Sequence, residues 1–139
     1  MSMKLELSPE SDFLKVSAMG EFSLEEAART FLEMLEAVAR HKVMKVLFDG
    51  RGVAGEPKTM ERFYHGEFAA QSVANFATRG VSRATRFAYI LDEPVLDPRR
   101  FGETVAVNRG MFIKAFDNLE DALGWLAAPV NKLDAGDSK

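Results

Sequence analysis

"VLFDGRGVAGEP", residues 46–57, sets Gly50, Gly52 and Gly55 in a G-x-G-x-x-G spacing directly behind an apolar run. The reading of this stretch decides the fold. A dinucleotide-binding loop needs its helix to begin inside the motif, so that the N-terminal amides face the pyrophosphate, and an acid about 20 residues later to hold the ribose. Neither condition is met. Glu56-Pro57 follows the last glycine, and proline favours the first helical turn, so the helix begins after the motif. Further on, the chain reads "VANFATRG", with no acid, and Asp49 would put a negative charge beside the phosphates. The stretch is read instead as a strand leaving into a flexible glycine loop, and no nucleotide cofactor is implied.

Outward from this point, the period of the apolar residues switches between two and about 3.6, the mark of strands alternating with helices. Upstream, "KLEL" (4–7) and "FLKVSAM" (13–19) flank the turn-like "SPESD" and form an antiparallel hairpin. Ser23, with Glu26 three residues on, makes a capping box for a helix to about His41, whose apolar stripe is Leu24, Ala28, Phe31, Leu35 and Val38. "VMKVLF" (43–48) is the third strand. A second helix is expected from Lys58 to about Thr78, ended by Gly80. "RFAYIL" (86–91) is the fourth strand, Asp97-Pro98 starts a short helix, and Asn108-Arg109-Gly110 closes it. "MFIKAF" (111–116) is the last strand, and Asp117 with Glu120 caps a final helix. The fold class is therefore α/β, an N-terminal β-hairpin followed by four strand-helix units on a mixed, mostly parallel sheet. Residues 1–128 form one domain and 129–139 a polar tail.

Composition narrows the function. The chain of 139 residues is one ordinary domain, and with no cysteine it has neither disulfides nor thiolate chemistry. A net charge of −3 from well-mixed residues lacks the basic stripe that nucleic acid requires. No apolar run approaches the roughly 20 residues of a membrane span, and no leader is evident, so a cytoplasmic location is expected. His41, beside Arg40 and Lys42, suits the end of the first helix, and His65 is assigned to the polar side of the second. No H-E-x-x-H, G-x-S-x-G or comparable catalytic pattern occurs.

The order of elements, "KVLFD" with Asp49, "RFAYILD" and the closing "FIKAFDNLEDALGWL" resemble the STAS-like, or SpoIIAA-like, family, named for anti-sigma-factor antagonists and the soluble domains of sulfate transporters. The resemblance covers nearly the whole chain and implies a small sheet with helices stacked along it, acting by protein contact or ligand binding. It also implies a regulatory site, because members carry an Asp-Ser pair at the start of the following helix whose serine is phosphorylated. Here no serine stands between Asp49 and Ser72, and Thr59 is the hydroxyl nearest the helix start. A phosphate on Thr59 would meet helix amides and Lys58.

Two further sites are candidates. "LFD", "ILD" and "AFD" place Asp49, Asp92 and Asp117 after three strands, at the edge where open α/β sheets bind ligands, with Arg51, Glu93, Arg99 and Arg100 on the same rim. A small anion, an apolar molecule or a hard cation would fit there, in competition with turn and cap roles for the same aspartates. The second is a contact surface. Period-two counting sets Leu14, Val16, Ala18, Met44, Val46, Phe48, Ala88, Ile90, Ile113 and Ala115 on the helix-facing side. It leaves Lys15, Lys45 and Lys114 with Phe87, Tyr89 and Phe116 on a wet face. On the second helix Met60, Phe63, Ala70, Val73 and Ala77 point inward, and Phe68 and Phe76 point out. Unless the hairpin or the tail covers them, these aromatics predict a homodimer or another protein partner, through Phe68 or Phe76 or the face of Lys45 and Tyr89.

Overall fold

Lys4–Pro9 (β1) and Leu14–Glu21 (β2) pair antiparallel, with Leu7 opposite Val16. The computed structural model describes residues 3–128; the expected tail, 129–139, lies outside the described residues. Helix α1, Leu24–His41, starts where Ser23 Oγ accepts the amide of Glu26. Glu26 does not complete the box. Its carboxylate instead accepts the amide of Met3 and pairs with Arg29, while Arg29 also donates to the Met3 carbonyl at 2.7 Å. The start of the described chain is thereby fastened to α1.

Three parallel strands follow: β3 Lys45–Ala54, β4 Arg86–Ile90 and β5 Phe112–Phe116. The sheet order is β1-β2-β3-β4-β5, so each strand pairs with its neighbours in sequence. Between them run α2, Thr59–Asn75, continued by a 3₁₀ turn Phe76–Arg79, and α3, Phe101–Asn108. Helix α4, Leu119–Ala127, ends the described fold. The α/β architecture and the hairpin with four strand-helix units are as the sequence implies. Gly80 and Gly110, both at positive φ, end the 3₁₀ turn and follow α3.

The register corrects one reading. Leu14 lies opposite Val46, Val46 opposite Phe87, and Phe87 opposite Ile113; the next row on that face is Val16, Phe48, Tyr89 and Ala115. Phe87 and Tyr89 thus belong to the face under α1, α2 and α3. Ala88 and Ile90 belong to the other, with Leu47, under Ala122 and Leu126 of α4. Both faces of the sheet are covered at the centre, and the lysine face is wet only at its margins.

Helix α2 is also rotated from expectation. Gly66, Ala69, Ala70, Ser72 and Val73 are buried, whereas Met60 and Ala77 are exposed and Phe76 is in the core. The reason is steric. A Cβ on Gly66 would lie 2.5 Å from the carbonyl oxygen of Gly102, so only this side of α2 lets α3 approach so closely.

Candidate functional site

The glycine stretch is mostly strand. β3 does not stop at Phe48 but continues through Gly50 and Gly52 to Ala54, pairing Gly52 with Met19 and Val53 with Gly20. A Cβ at Gly50 would meet Leu91 at 2.6 Å, and one at Gly52 would meet the Ala18 carbonyl at 3.0 Å. These glycines serve close packing. Gly55, at φ 118°, makes the turn, and α2 begins only at Thr59. The helix therefore begins after the motif and not inside it.

The three rim aspartates are engaged separately. Asp49 lies within β3, five residues before its end, and holds Arg51 through Nε at 2.9 Å and Nη2 at 2.8 Å. That hydrogen bonding keeps its carboxyl below the usual range. Asp92 is exposed, and its carbonyl accepts the Leu96 amide in a turn. Asp117 is not the cap of α4: Asn118 is, accepting the Asp121 amide at 2.8 Å, while Asp117 accepts from the Asn118 side chain. Asp97 likewise precedes its helix, accepting the amides of Arg99 and Phe101 before α3 starts. Among the described residues, no three His, Asp or Glu side chains gather closely enough to hold a metal ion.

Thr59 is exposed at the first position of α2, on a broad groove that also includes Arg62, Asp97 and Arg99. Glu61 reaches back to the Lys58 amide at 2.8 Å, closing the helix start.

A more apolar site lies elsewhere. A cavity of about 120 Å³ sits between α1, α2 and the C-terminal ends of β3 and β4, walled by Phe22, Phe31, Phe48, Val53, Leu91 and His65 among others. His65 is not on a polar side. Its ring meets Phe31 edge-on at 6.1 Å and stacks on Phe68 at 6.5 Å, and its Nδ1 is closed to water without a hydrogen-bond partner. Burial pushes its pKa down to about 4, so the imidazole is neutral at pH 7. Burial likewise raises the Tyr89 phenol, whose ring stacks on Phe48 at 4.3 Å. A second cavity, about 130 Å³, shares His65, Tyr89 and Leu91 as its wall and includes Glu103, whose pKa burial raises.

The interface candidates are also redistributed. Phe76 is buried beneath Arg79, whose guanidinium lies 4.4 Å from its ring, and Phe68 is half-buried against Phe31. Tyr89 lines the cavities, while Lys45 stays half-buried on the α4 face. The exposed aromatics belong instead to α2 and α3: Tyr64 and Phe101, with the exposed Met60, around Phe63, which stacks on Phe101 at 6.3 Å and meets Tyr64 edge-on at 5.5 Å.

Two solved structures share this arrangement. An anti-sigma factor antagonist from Mycobacterium paratuberculosis aligns over 91% of this chain and 96% of its own, with a TM-score of 0.58 and 16% identity. An uncharacterized protein of the DUF3478 family from Shewanella loihica, itself described as SpoIIAA-like, aligns over 91% and 94%, with a TM-score of 0.50 and 19% identity. The fold is SpoIIAA-like. At these identities the likeness concerns the fold alone. No family model and no curated protein matches the sequence. No helix among the described residues of this SpoIIAA-like domain is long and apolar enough to cross a membrane.

Sequence reasoning missed that the half-buried His65 turns its Nδ1 inward. The signal was present: His65, Ala69 and Val73 recur at i, i+4 and i+8, which places the histidine on the stripe of small residues that packs inward.

Proposed function

We propose that the chain is a non-catalytic interaction module that works through the aromatic surface of α2 and α3. The supporting observation is the exposure there of Met60, Tyr64 and Phe101, at 54%, 49% and 36%. Contiguous apolar groups of this kind mark contact sites, whereas scattered ones do not. The Mycobacterium protein of the same fold is described as an anti-sigma factor antagonist, which agrees with a role exercised through contact, although fold alone assigns none.

The partner we infer is a second copy. Glu67 and Arg109, paired at 3.3 Å, sit beside the aromatics with Arg83, and Glu61 lies on the same helix. A surface carrying both signs at its border is self-complementary under a two-fold rotation, which sets acid against base across the axis. Sedimentation velocity at micromolar concentration should show a species of twice the 15.4 kDa chain mass. The double variant Tyr64→Ser/Phe101→Ser should sediment as a monomer with unchanged circular dichroism. A wild-type monomer at every concentration, or a dimer indifferent to both substitutions, overturns the reading.

A further inference from the structure

The geometry points to the cavity at the ends of β3 and β4 as a binding site for a small uncharged molecule, a single aromatic ring bearing one hydroxyl. Its size is suited to one ring, since apolar cavities of roughly 150 Å³ stay dry and take up benzene, and this one measures about 120 Å³. Its wall is aromatic and aliphatic, from Phe22, Phe31 and Phe48 together with Val53, Leu91 and Val95.

The polar groups in that wall select against charge. Arg62 is its one guanidinium, and both terminal nitrogens are already committed, Nη1 to the Val95 carbonyl at 2.9 Å and Nη2 to the Pro94 carbonyl at 2.7 Å. A carboxylate or a phosphate would have to draw the guanidinium away from these two carbonyls and from Asp97, whose carboxyl, against its desolvation, the Phe101 and Arg99 amides and this charge hold below its usual range, so an anion is disfavoured. The Thr30 hydroxyl is spent as well, donating to the Ala27 carbonyl at 3.1 Å. The Tyr89 phenol and His65 are left, and of the two only His65 has a buried polar atom without a partner. Its Nδ1 has no partner, and the histidine ring torsion is broad and roughly two-fold, so a turn about Cβ–Cγ carries Nδ1 out of its sealed position while the ring keeps its space. A neutral imidazole nitrogen either donates or accepts, and a hydroxyl answers both. The neighbouring cavity suits an uncharged ligand less well, because the half-buried Glu103 carboxylate belongs to its wall.

The test is methyl NMR of the intact chain titrated with p-cresol, toluene and p-toluate. Saturable shifts with p-cresol should fall on Val53, Leu91 and Val95, and leave Leu47 and Leu126, across the sheet, unmoved. Toluene should shift the same methyls with roughly 3- to 10-fold weaker affinity, the worth of one net hydrogen bond, and p-toluate should shift none. His65→Phe should bind p-cresol and toluene equally, whereas Tyr89→Phe, which removes the other available hydroxyl of the wall, should keep the p-cresol preference. Should His65→Phe fail to fold, Ala27→Met, which fills the cavity from α1, should abolish binding of both. Shifts that do not saturate, shifts equal at Leu47 and Leu126, binding of p-toluate as strong as that of p-cresol, or a p-cresol preference that survives His65→Phe overturns the assignment. The Tyr64→Ser/Phe101→Ser variant should bind p-cresol as the wild type does, so the outcome is independent of the dimer.

Discussion

The two faces of the sheet are held in different ways. On one, Leu14, Val16, Val46, Phe48 and Phe87 lie under three helices in a continuous core that nonetheless keeps two cavities and a histidine nitrogen without a partner. On the other, Leu47, Ala88 and Ile90 pack with Ala122 and Leu126 of α4 and with Phe13 and Phe116, and the buried cation Arg86 adds a polar anchor. Its Nη1 donates to the carbonyls of Trp125, Leu126 and Ala128, at 3.1, 3.3 and 2.7 Å, where the helix end leaves acceptors without partners. A positive charge there also complements the helix dipole. Apolar area fixes the first face, whereas the second joins a smaller apolar cluster to one polar anchor, whose Nη2 is itself buried without a hydrogen-bond partner.

The largest effect should come from the first face. Phe87→Ala empties a site with no solvent exposure beside Phe31 and should cost about 3–5 kcal/mol of stability in denaturant unfolding. A loss below about 1 kcal/mol would show that this core is not what holds the sheet.

The pH dependence separates the faces next. His65 stands at about 4 in the folded chain against 6.5 unfolded, so the unfolded state gains a proton first as the pH falls. Stability is full above pH 6.5, declines between there and about pH 4, and levels off below, by up to about 3 kcal/mol in total. Chemical denaturation across this window should show the decline in wild type and not in His65→Phe. A decline of equal size in both would assign it to other groups.

Arg86→Met probes the second face and should cost about 2 kcal/mol, since it removes the charged donor from three carbonyls. It should also divide the unfolding transition. Trp125, the only tryptophan, rests on α4 against Phe116 at 6.1 Å and reports that helix alone. In Arg86→Met its emission should change at lower denaturant than the far-ultraviolet dichroism of the whole domain. Coincident transitions would mean that the two faces are one cooperative unit.

Much of this architecture was legible because its signals are local. The Ser23 cap, the glycines ending the 3₁₀ turn and following α3, and the switching period each fix an element from a few neighbouring residues. The misreadings share a different cause. In β4 the run Phe87, Ala88, Tyr89, Ile90 is apolar at every position, because the strand is buried on both sides, so alternation holds no record of which face is which. A slip of one residue then exchanged the faces. β3 ran past its expected end because Gly50 and Gly52, which read as loop residues, fit where Leu91 and Ala18 press closest. The cap expected at Asp97 moved to Arg100, since an aspartate one turn early still satisfies the Arg99 and Phe101 amides, and the one expected at Asp117 moved to the adjacent Asn118, whose side chain accepts the Asp121 amide. The cavity left no trace in the sequence, because its walls come from both hairpin and crossover segments, from Met3 to Val95.

The sequential strand order bears on how the chain reaches this state. With β1 to β5 laid down side by side in the order of synthesis, no strand has to insert between two that are already paired. Each arriving strand finds a free edge, and the loops to be closed are only as long as one crossover, which keeps the entropic barrier of every step low. An emerging nascent chain can thus add one strand-helix unit at a time to the hairpin, and the helix that covers the second face of the sheet, α4, is the last described element to leave the ribosome.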